Sequence, residues 1–252
     1  KTIRVNYAYA DPVDARYKDS DKQMLAKNTS IVIDDSMQCE SLSLEGVQVK
    51  KMQIVSKKMK KLLIKTCNLP DEYTINTPNL QTLGLKETYV KKLQYGKMDK
   101  LKYLSLGLNV IQNGKEKASP VTVLDLQKSK NIAELSVTGC RINKLDLSSV
   151  NKTLRLASIT QSGKYPIKQV RLGKMAALKG LSVSAKCAAI DASKCSRLNT
   201  LECASYGIFK VKLPKSVQYL TLTSLDKKGC KSLKLSNCKK LKALKVIGCK
   251  KL

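Results

Sequence analysis

The sequence contains no histidine, no tryptophan and a single phenylalanine. Without histidine there can be no Ser-His-Asp or Cys-His nucleophile pair, no histidine-ligated zinc and no imidazole proton shuttle. Apolar residues still make up 42% of the 252 residues, so the core must be built mainly from Leu, Ile, Val, Met, Ala and Cys. Enzyme classes that depend on histidine are therefore excluded.

Long apolar runs and Gly-rich phosphate loops are also absent. No 18 consecutive apolar residues occur, although a transmembrane helix needs a run of about that length, so no membrane span is expected. The acidic pairs Asp34-Asp35 and Asp71-Glu72 lie in predicted turns with no second catalytic group indicated. We therefore expect a protein that is not an enzyme and that carries no cofactor and no metal.

Acidic residues are scarce in comparison with basic ones. The chain has 48 Lys and Arg against 19 Asp and Glu, a net charge of +29, which attracts polyanions over long distances. Most of the basic residues are lysines, which lack the planar fork that reads guanine edges or pairs of phosphate oxygens. Sequence-specific nucleic-acid binding is thus disfavoured, whereas anionic polymers remain candidate partners.

The charge is distributed unevenly along the chain. Residues 1–45 hold eight acidic and six basic residues, whereas the remainder is strongly basic. This shift marks residues 1–30 as a separate N-terminal arm or cap, formed by a leading strand or arm and a short cap.

From about residue 31 onward the sequence repeats. Three segments fit the pattern L-x-x-L-x-L-x-x-N/C-x-L, which is the leucine-rich repeat signature; they begin at Met59, Leu101 and Ile132. A second apolar pair, such as Leu145 and Leu147, lies between successive copies. Because apolar and polar residues alternate with period two over such short runs, each pair predicts a strand rather than a helix.

Two series of predicted strands follow from these patterns. The first apolar residues of one series are at positions 42, 62, 83, 104, 135, 154, 181, 201, 220 and 244, and those of the other are at 31, 52, 73, 93, 124, 145, 170, 190, 211 and 233. We predict a mainly β fold with little helix, in which residues 31–252 form a leucine-rich repeat solenoid of about ten coils with two parallel strands per coil. A single coil cannot bury its own apolar residues, so stability must come from stacking on its neighbours.

The nine cysteines are explained by the same repeat. Stacked coils are about 4.8 Å apart, and the cysteines that share a column, such as Cys67 and Cys140, are separated by coils that lack one. They are therefore too distant to form a disulfide. We predict free, buried thiols, and the absence of a C-x-x-C pair leaves a zinc or redox site without support.

These motifs resemble the leucine-rich repeat proteins of the bacterial cell surface, of the internalin-like and gut-bacterial adhesin-like class. The segment KSLKLSNCKKLKALKVIGCKKL is especially similar to the Lys-rich, Cys-containing repeats of that class. The resemblance covers about residues 31–252. It implies a secreted or wall-attached module, extracellular or on the surface of a Gram-positive bacterium, that binds a protein or glycan on a host or bacterial surface. Because the sequence stops in the middle of a repeat, we expect the solenoid to be truncated at Leu252.

The outward positions of the first strand series are one candidate binding surface. Most of them carry Ser or Thr, and a sheet of such small side chains could accept a partner backbone or a glycan. The larger side chains expected there are Tyr103, Glu134, Arg155, Glu202 and Tyr219. The alternative is an ordinary solvated sheet, because Ser and Thr neighbours with high β propensity need no ligand.

A second candidate surface comes from three longer connections. All three follow a strand of the first series, so they emerge along one edge, and insertions in a solenoid tend to collect on the binding side. The residues exposed there are expected to include Asn113, Lys115, Lys164, Tyr165 and Lys227. Neutral drift in loop length is the alternative explanation.

Two functions remain open from the sequence. The first is a non-enzymatic recognition module that uses these surfaces. The alternative is a Lys-rich polyanion-binding module, in which lysine pairs in the turns, such as Lys57-Lys58 and Lys239-Lys240, align into ridges that hold a wall polymer or a nucleic acid.

Overall fold

The computed structural model describes residues 2–6, 26–112, 115–206, 210–226, 230 and 232–249. The chain is divided into two compact units, Lys1–Val121 (unit 1) and Thr122–Leu252 (unit 2). The fold is mainly β, with 1% helix, and forms a β-solenoid of about ten turns with parallel strands. The predicted mainly β solenoid is thus confirmed. Within the described ranges, no helix is long and apolar enough to cross a membrane.

Unit 1 is built from two parallel sheets and a hairpin. Its strands are β1 Thr2–Asn6, β2 Ala26–Ile33, β3 Ser41–Glu45, β4 Val47–Val55, β5 Lys61–Lys65, β6 Tyr73–Asn76, β7 Thr82–Lys86, β8 Tyr103–Gly107, β9 Asn109–Gln112 and β10 Lys115–Ala118. The first sheet has the order β1-β3-β5-β7-β8, the second sheet is β2-β4-β6, and β9 and β10 form an antiparallel hairpin. The register of the first sheet aligns Ile3, Leu42, Leu62, Leu83 and Leu104.

Unit 2 repeats the same plan with a longer first sheet. Its strands are β11 Glu134–Thr138, β12 Lys144–Asp146, β13 Leu156–Thr160, β14 Gln169–Arg171, β15 Gly180–Ser184, β16 Ala189–Asp191, β17 Thr200–Ser205, β18 Lys210–Lys212, β19 Tyr219–Ser224 and β20 Ala243–Ile247. The first sheet contains β11, β13, β15, β17, β19 and β20 in that order, and the pairs β12–β14 and β16–β18 form the second side. A turn of 3-10 helix, Ser148–Val150, follows β12.

The predicted first series is correct at every position in these sheets except 154. The residue that aligns with Leu135 and Leu181 is Ala157, not Leu154. Leu154 is fully buried three residues earlier, at the position that Ile132 and Leu178 occupy in their own coils. The 3-10 turn sets this frame, because the Leu154 amide donates to the Val150 carbonyl at 2.9 Å. The sequence pattern favoured the larger leucine over the small alanine that the core accepts.

The second strand series is only partly regular. Parallel ladders align Ile31, Met52 and Tyr73, and also pair Leu145 with Val170 and Ile190 with Val211, as predicted. No strand forms at the described positions 93, 124 and 233. In the first of these coils Tyr95 is buried and Leu93 is only half-buried. The prediction of two strands in every coil is therefore wrong for these three coils.

The predicted N-terminal arm or cap falls mostly on residues that lie outside the described ranges. Within it, Thr2–Asn6 forms β1, which pairs in parallel with β3, aligning Ile3 with Leu42. Strand β2 begins at Ala26 and pairs with β4. The described parts of residues 1–30 therefore add strands to both sheets of unit 1.

Each coil enters its first-sheet strand through a tight turn that is anchored to the preceding coil. The Leu101 amide donates to the Met98 carbonyl at 3.2 Å within the turn. The amide of the residue just before the strand then donates a hydrogen bond to the carbonyl of the equivalent residue in the preceding coil. The Lys102 amide donates to the Gln81 carbonyl at 2.9 Å, and the Lys179 amide donates to the Arg155 carbonyl at 2.8 Å. We call these segments the entering turns.

The strands of the first sheets often end at a residue with left-handed backbone conformation. The first residue after the strand has a φ of 67° at Gly46, 51° at Thr66, 49° at Glu87, 70° at Gly139 and 70° at Gly248. This conformation is costly for residues with a Cβ, yet Thr and Glu adopt it where glycine is lacking. The repeat of the same φ shows that the turn geometry is imposed by stacking.

The residue after this turn directs its side chain inward, at the N/C position of the repeat. Cys67 Sγ donates to the Lys65 carbonyl at 3.1 Å, and Thr88 Oγ1 donates to the Lys86 carbonyl at 2.9 Å. Cys140 makes the same contact with the carbonyl two residues before it, at 3.5 Å. The side chain at this position therefore satisfies a carbonyl of the turn from inside the solenoid, as the repeat pattern predicts.

All nine cysteines are free, as predicted. Eight are buried and Cys249 is half-buried. Burial raises the pKa of Cys140 to about 12 and also raises the pKa values of Cys67 and Cys187. These three thiols are therefore protonated at neutral pH, and protonated thiols are poor nucleophiles.

Serine substitution should distinguish the turn cysteines from the strand cysteines. Cys67→Ser keeps a donor for the Lys65 carbonyl, so the free energy of unfolding should change by less than about 1 kcal/mol. Cys203→Ser places a hydroxyl at an inward strand position between Leu201 and Ser205, and should cost about 1–3 kcal/mol. Urea denaturation of both variants measures this difference, and equal losses would contradict the assigned roles.

Alkaline pH should destabilise the fold through these thiols. A thiol whose pKa is raised in the folded state, as at Cys140 from 9.0 to about 12, ionises first in the unfolded chain, so stability is lost as the pH rises above 9. Denaturation of the wild type and of Cys140→Ser between pH 8 and about 11 should show a steeper loss in the wild type. Parallel curves would refute this linkage.

Candidate recognition site

The outer face of the first sheet of unit 2 is rich in hydroxyl groups. The register places Ser136, Ser158 and Ser182 side by side in one row, continued by Glu202 and Thr221. The serines and the threonine are half-exposed and Glu202 is exposed. Donors and acceptors therefore follow one another about 4.8 Å apart along the row.

Two predicted residues join a second row of this face. Glu134 and Tyr219 lie in the row that also contains Leu156, Gly180 and Thr200. A Cβ at Gly180 would lie 2.9 Å from Leu156 Cδ2, so the leucine side chain lies across the glycine. Glu134 and Tyr219 are thus on one face, as predicted, but four strands apart.

Two predicted residues lie in unit 1. Tyr103 is exposed on the outer face of β8. Lys115 is exposed in β10, and the hairpin is fixed by Ser119, whose Oγ accepts the Val90 amide at 3.0 Å, and by Lys117, whose Nζ lies 4.5 Å from the Tyr89 ring centroid. Asn113 and Lys227 lie outside the described residues.

Arg155 does not lie on the sheet face where the sequence placed it. Strand β13 begins at Leu156, and the outward position is taken by Leu156 itself. Arg155 is the last residue of an entering turn, where its amide donates to the Ala133 carbonyl at 2.7 Å. The sequence misplaced Arg155 because it took Leu154, rather than Ala157, as the first inward residue of this strand.

The insertion between β13 and β14 forms a loop at the C-terminal ends of the first-sheet strands, opposite the entering turns. Gln161 is buried, and its Nε2 donates to the Ile142 carbonyl at 2.8 Å and to the Tyr165 carbonyl. The Tyr165 amide donates to the Ser162 carbonyl at 3.0 Å. The backbone of this loop is therefore fixed from inside by one glutamine side chain.

This loop assembles a cluster of aromatic and basic side chains. Arg141 Cζ lies 4.8 Å from the Tyr165 ring centroid, and Lys164 Nζ lies 5.6 Å from it. A Cβ at Gly163 would lie 2.8 Å from Tyr206 Cγ, so the Tyr206 ring rests on the glycine. We call Arg141, Lys164, Tyr165 and Tyr206 the tyrosine edge. Tyr206 is 38% exposed and leaves an aromatic surface open to solvent.

The tyrosine edge contains two predicted residues and two that the sequence did not indicate. Lys164 and Tyr165 were expected from the insertion length. Arg141 follows the N/C position of another coil, and Tyr206 follows β17, so neither shares a sequence signal with the loop. The glycine at 163 was the available clue, because only a residue without a Cβ allows the ring this close.

A groove of about 430 Å³ lies beside the second side of unit 2. Its lining includes Asp146, whose Oδ1 accepts the Ser148 amide at 3.0 Å and whose Oδ2 lies 3.5 Å from an Arg171 nitrogen. Asp125, the other carboxylate of the lining, accepts the Gln127 amide at 2.9 Å through Oδ1, so both carboxylates that could bind a ligand are already engaged in turns. Within the described part of the chain, no three His, Cys, Asp or Glu side chains are grouped so that they could hold a metal ion.

Removal of the Gln161 side chain should loosen the loop without unfolding the unit. The hydrogen bond to the Ile142 carbonyl is worth about 0.5–1.5 kcal/mol, so Gln161→Ala should speed trypsin cleavage after Lys164 roughly three- to tenfold through local opening. Cleavage after Lys186 in the same digest provides the control. A uniform increase at both sites would mean global destabilisation and would contradict the local role.

Comparison with known proteins identifies no family for this chain. No family model, no curated protein and no solved structure matches it. The resemblance of its repeats to bacterial cell-surface leucine-rich repeat proteins therefore stays an interpretation of the sequence motifs.

Proposed function

We propose that this chain is a non-enzymatic recognition module of the leucine-rich repeat type that binds a protein or glycan. In this proposal it is secreted or attached to the surface of a Gram-positive bacterium, where it acts as an adhesin toward a host or bacterial surface. The observation that carries the proposal is the tyrosine edge, in which a fixed loop holds two tyrosines beside an arginine and a lysine.

The composition of the tyrosine edge supports binding rather than a purely structural role. Tyr and Arg are enriched among the residues that dominate binding energy at protein interfaces. Tyrosine also offers an apolar ring face together with a hydroxyl group, which suits both a protein surface and a sugar ring.

The pre-formed geometry supports the same proposal. Because Gln161 and Gly163 fix the loop and the Tyr206 ring before any partner arrives, little side-chain entropy is lost on binding. The outer face of the first sheet adjoins this loop, and its last row contains Thr160, Ser184 and Ala204. The hydroxyl groups of that face extend the surface with groups that can form hydrogen bonds to a polar partner.

The test is a binding screen of the purified chain against mucin-type glycans and host extracellular proteins at about 300 mM salt, where nonspecific charge attraction is weak. Tyr206→Ala should reduce the affinity for a retained ligand by about tenfold or more. Gly163→Ala should weaken it too, because the added methyl group displaces the Tyr206 ring.

Tyr103→Ala is the matched control. Tyr103 was a candidate from the sequence, but it is an exposed tyrosine on a first-sheet strand of unit 1, and the proposal assigns the binding to the tyrosine edge of unit 2. This substitution should leave binding unchanged. If nothing in the panel is retained at high salt, or if Tyr103→Ala weakens binding as much as Tyr206→Ala, the proposal is wrong.

A further inference from the structure

The entering turns of unit 2 contain many basic residues and no acidic one. These six turns span residues 127–133, 148–155, 173–179, 192–199, 214–218 and 236–242, and we call them together the basic edge. They contain ten lysines and two arginines but no Asp or Glu, and every one of the twelve basic side chains is exposed.

The coil-to-coil hydrogen bonds hold these turns in a row. The Lys179 amide donates to the Arg155 carbonyl at 2.8 Å, the Asn199 amide donates to the Lys179 carbonyl at 2.9 Å, and the Lys242 amide donates to the Gln218 carbonyl at 2.8 Å. Neighbouring turns are therefore about 4.8 Å apart. This spacing is well below the Debye length of about 10 Å at 0.1 M salt, so the fields of successive turns add.

The high net charge of the chain does not by itself account for the basic edge. Residues 122–252 hold six acidic and 27 basic residues, and at that ratio twelve bases would be accompanied by two or three acids. The entering turns of unit 1 do contain acids, and two of them form ion pairs, Lys60 with Glu40 at 3.0 Å and Lys97 with Asp99 at 2.9 Å.

The acidic residues of unit 2 lie outside the six turns in sequence. Asp125, Asp146 and Asp191 come just before three of the turns, and their carboxylates accept the amides of Gln127, Ser148 and Ser193 at the starts of those turns. Asp146 and Asp191 lie on the second side, where Asp191 pairs with Lys212 at 3.2 Å, and Glu134 and Glu202 lie on the outer face of the first sheet. The basic edge thus concentrates like charges that repel one another, at some cost to the folded state. A bound anion would remove this cost.

The side-chain chemistry indicates what kind of anion fits. Lysine is a compact, strongly hydrated point charge that does not form the paired hydrogen bonds of arginine, so a row of lysines suits repeated single anionic groups. The six turns contain no Tyr, Phe or Trp, so they offer no stacking platform for bases. We infer that the basic edge binds a linear polyanion without bases, whose repeating units carry sulfate, phosphate or carboxylate groups.

The length of the site sets how many charges can engage. Six turns at about 4.8 Å per step span about 24 Å, which is long enough for several repeating units of such a polymer. The basic edge precedes the first-sheet strands, whereas the tyrosine edge follows them. The two sites are therefore separate, and one can fail without the other.

The test removes four charges from consecutive turns. In the variant R155Q/K179Q/K194Q/K215Q, affinity for heparin and for polyphosphate should fall by about tenfold or more at about 150 mM salt. The negative slope of log affinity against log salt should become shallower by about 3, because each lost phosphate-type contact contributes roughly 0.7–0.9 to its magnitude. Binding of only one of the two probes would support the proposal and identify sulfate or phosphate as the group preferred.

The matched control is K50Q/K51Q/K92Q/K102Q, which removes the same charge from exposed lysines of unit 1. It should lower affinity by less than about twofold. Equal losses in the two variants would show that net charge alone binds the probes, and a 20-nucleotide poly-dT that binds as tightly as heparin would show a nucleic-acid site. Either result overturns the inference.

The fourfold edge variant should keep its affinity for a ligand that the wild type retains at about 300 mM salt, because none of its four residues belongs to the tyrosine edge. Failure of this inference is therefore distinguishable from failure of the proposed recognition function. Thermal unfolding in low salt serves as the folding check. The fourfold edge variant should melt no lower than the wild type, because it relieves repulsion among exposed groups. A lower melting temperature together with lost heparin binding would attribute the loss to misfolding and would overturn the assignment of these four residues to the site.

Discussion

The backbone hydrogen bonds between successive coils are the interaction on which each unit depends. A coil of about 20 residues cannot enclose its own apolar side chains, so its strands are stable only when they pair with a neighbour in register. In the first sheet of unit 2 this register aligns Leu135, Ala157, Leu181 and Leu201 without a slip. Residues at equivalent coil positions are therefore aligned in a column, and the composition of each column determines the properties of that surface.

Much of the fold could be predicted because the core demands regular spacing. The alternation of apolar residues identified both strand series, and the N/C position explained why Cys67 and Thr88 are interchangeable in the turn. The prediction failed where side-chain size was misleading. Leu156 is large and apolar, yet it lies outside across Gly180, while the smaller Ala157 is inside. No pattern of hydropathy alone reveals which of two adjacent apolar residues the neighbouring coil can accept.

The candidate site could be predicted only in part, for a related reason. Insertion length indicated Lys164 and Tyr165 as exposed loop residues, because extra residues must emerge where the strands end. Tyr206 and Arg141 reach the same place from other coils, and that proximity depends on side-chain conformations that spacing does not encode. The position of the basic edge was also not predicted from the sequence. Lysine pairs seemed the relevant feature of the sequence. The feature that distinguishes the six aligned turns is that none of their own residues is acidic.

The free thiols in the interior have a mechanical consequence. Because all nine cysteines are unpaired, no disulfide cross-links one coil to the next, and each coil is held in the stack by its backbone ladder and its packing. Under tension a unit should lengthen by peeling successive coils, each of which releases about 60–70 Å of extended chain for 20 residues. Since nothing has to be reduced or reoxidised, a released coil can rewind onto the stack when the tension falls. Each unit would then behave as a reversible extensible spacer rather than as a rigid bracket.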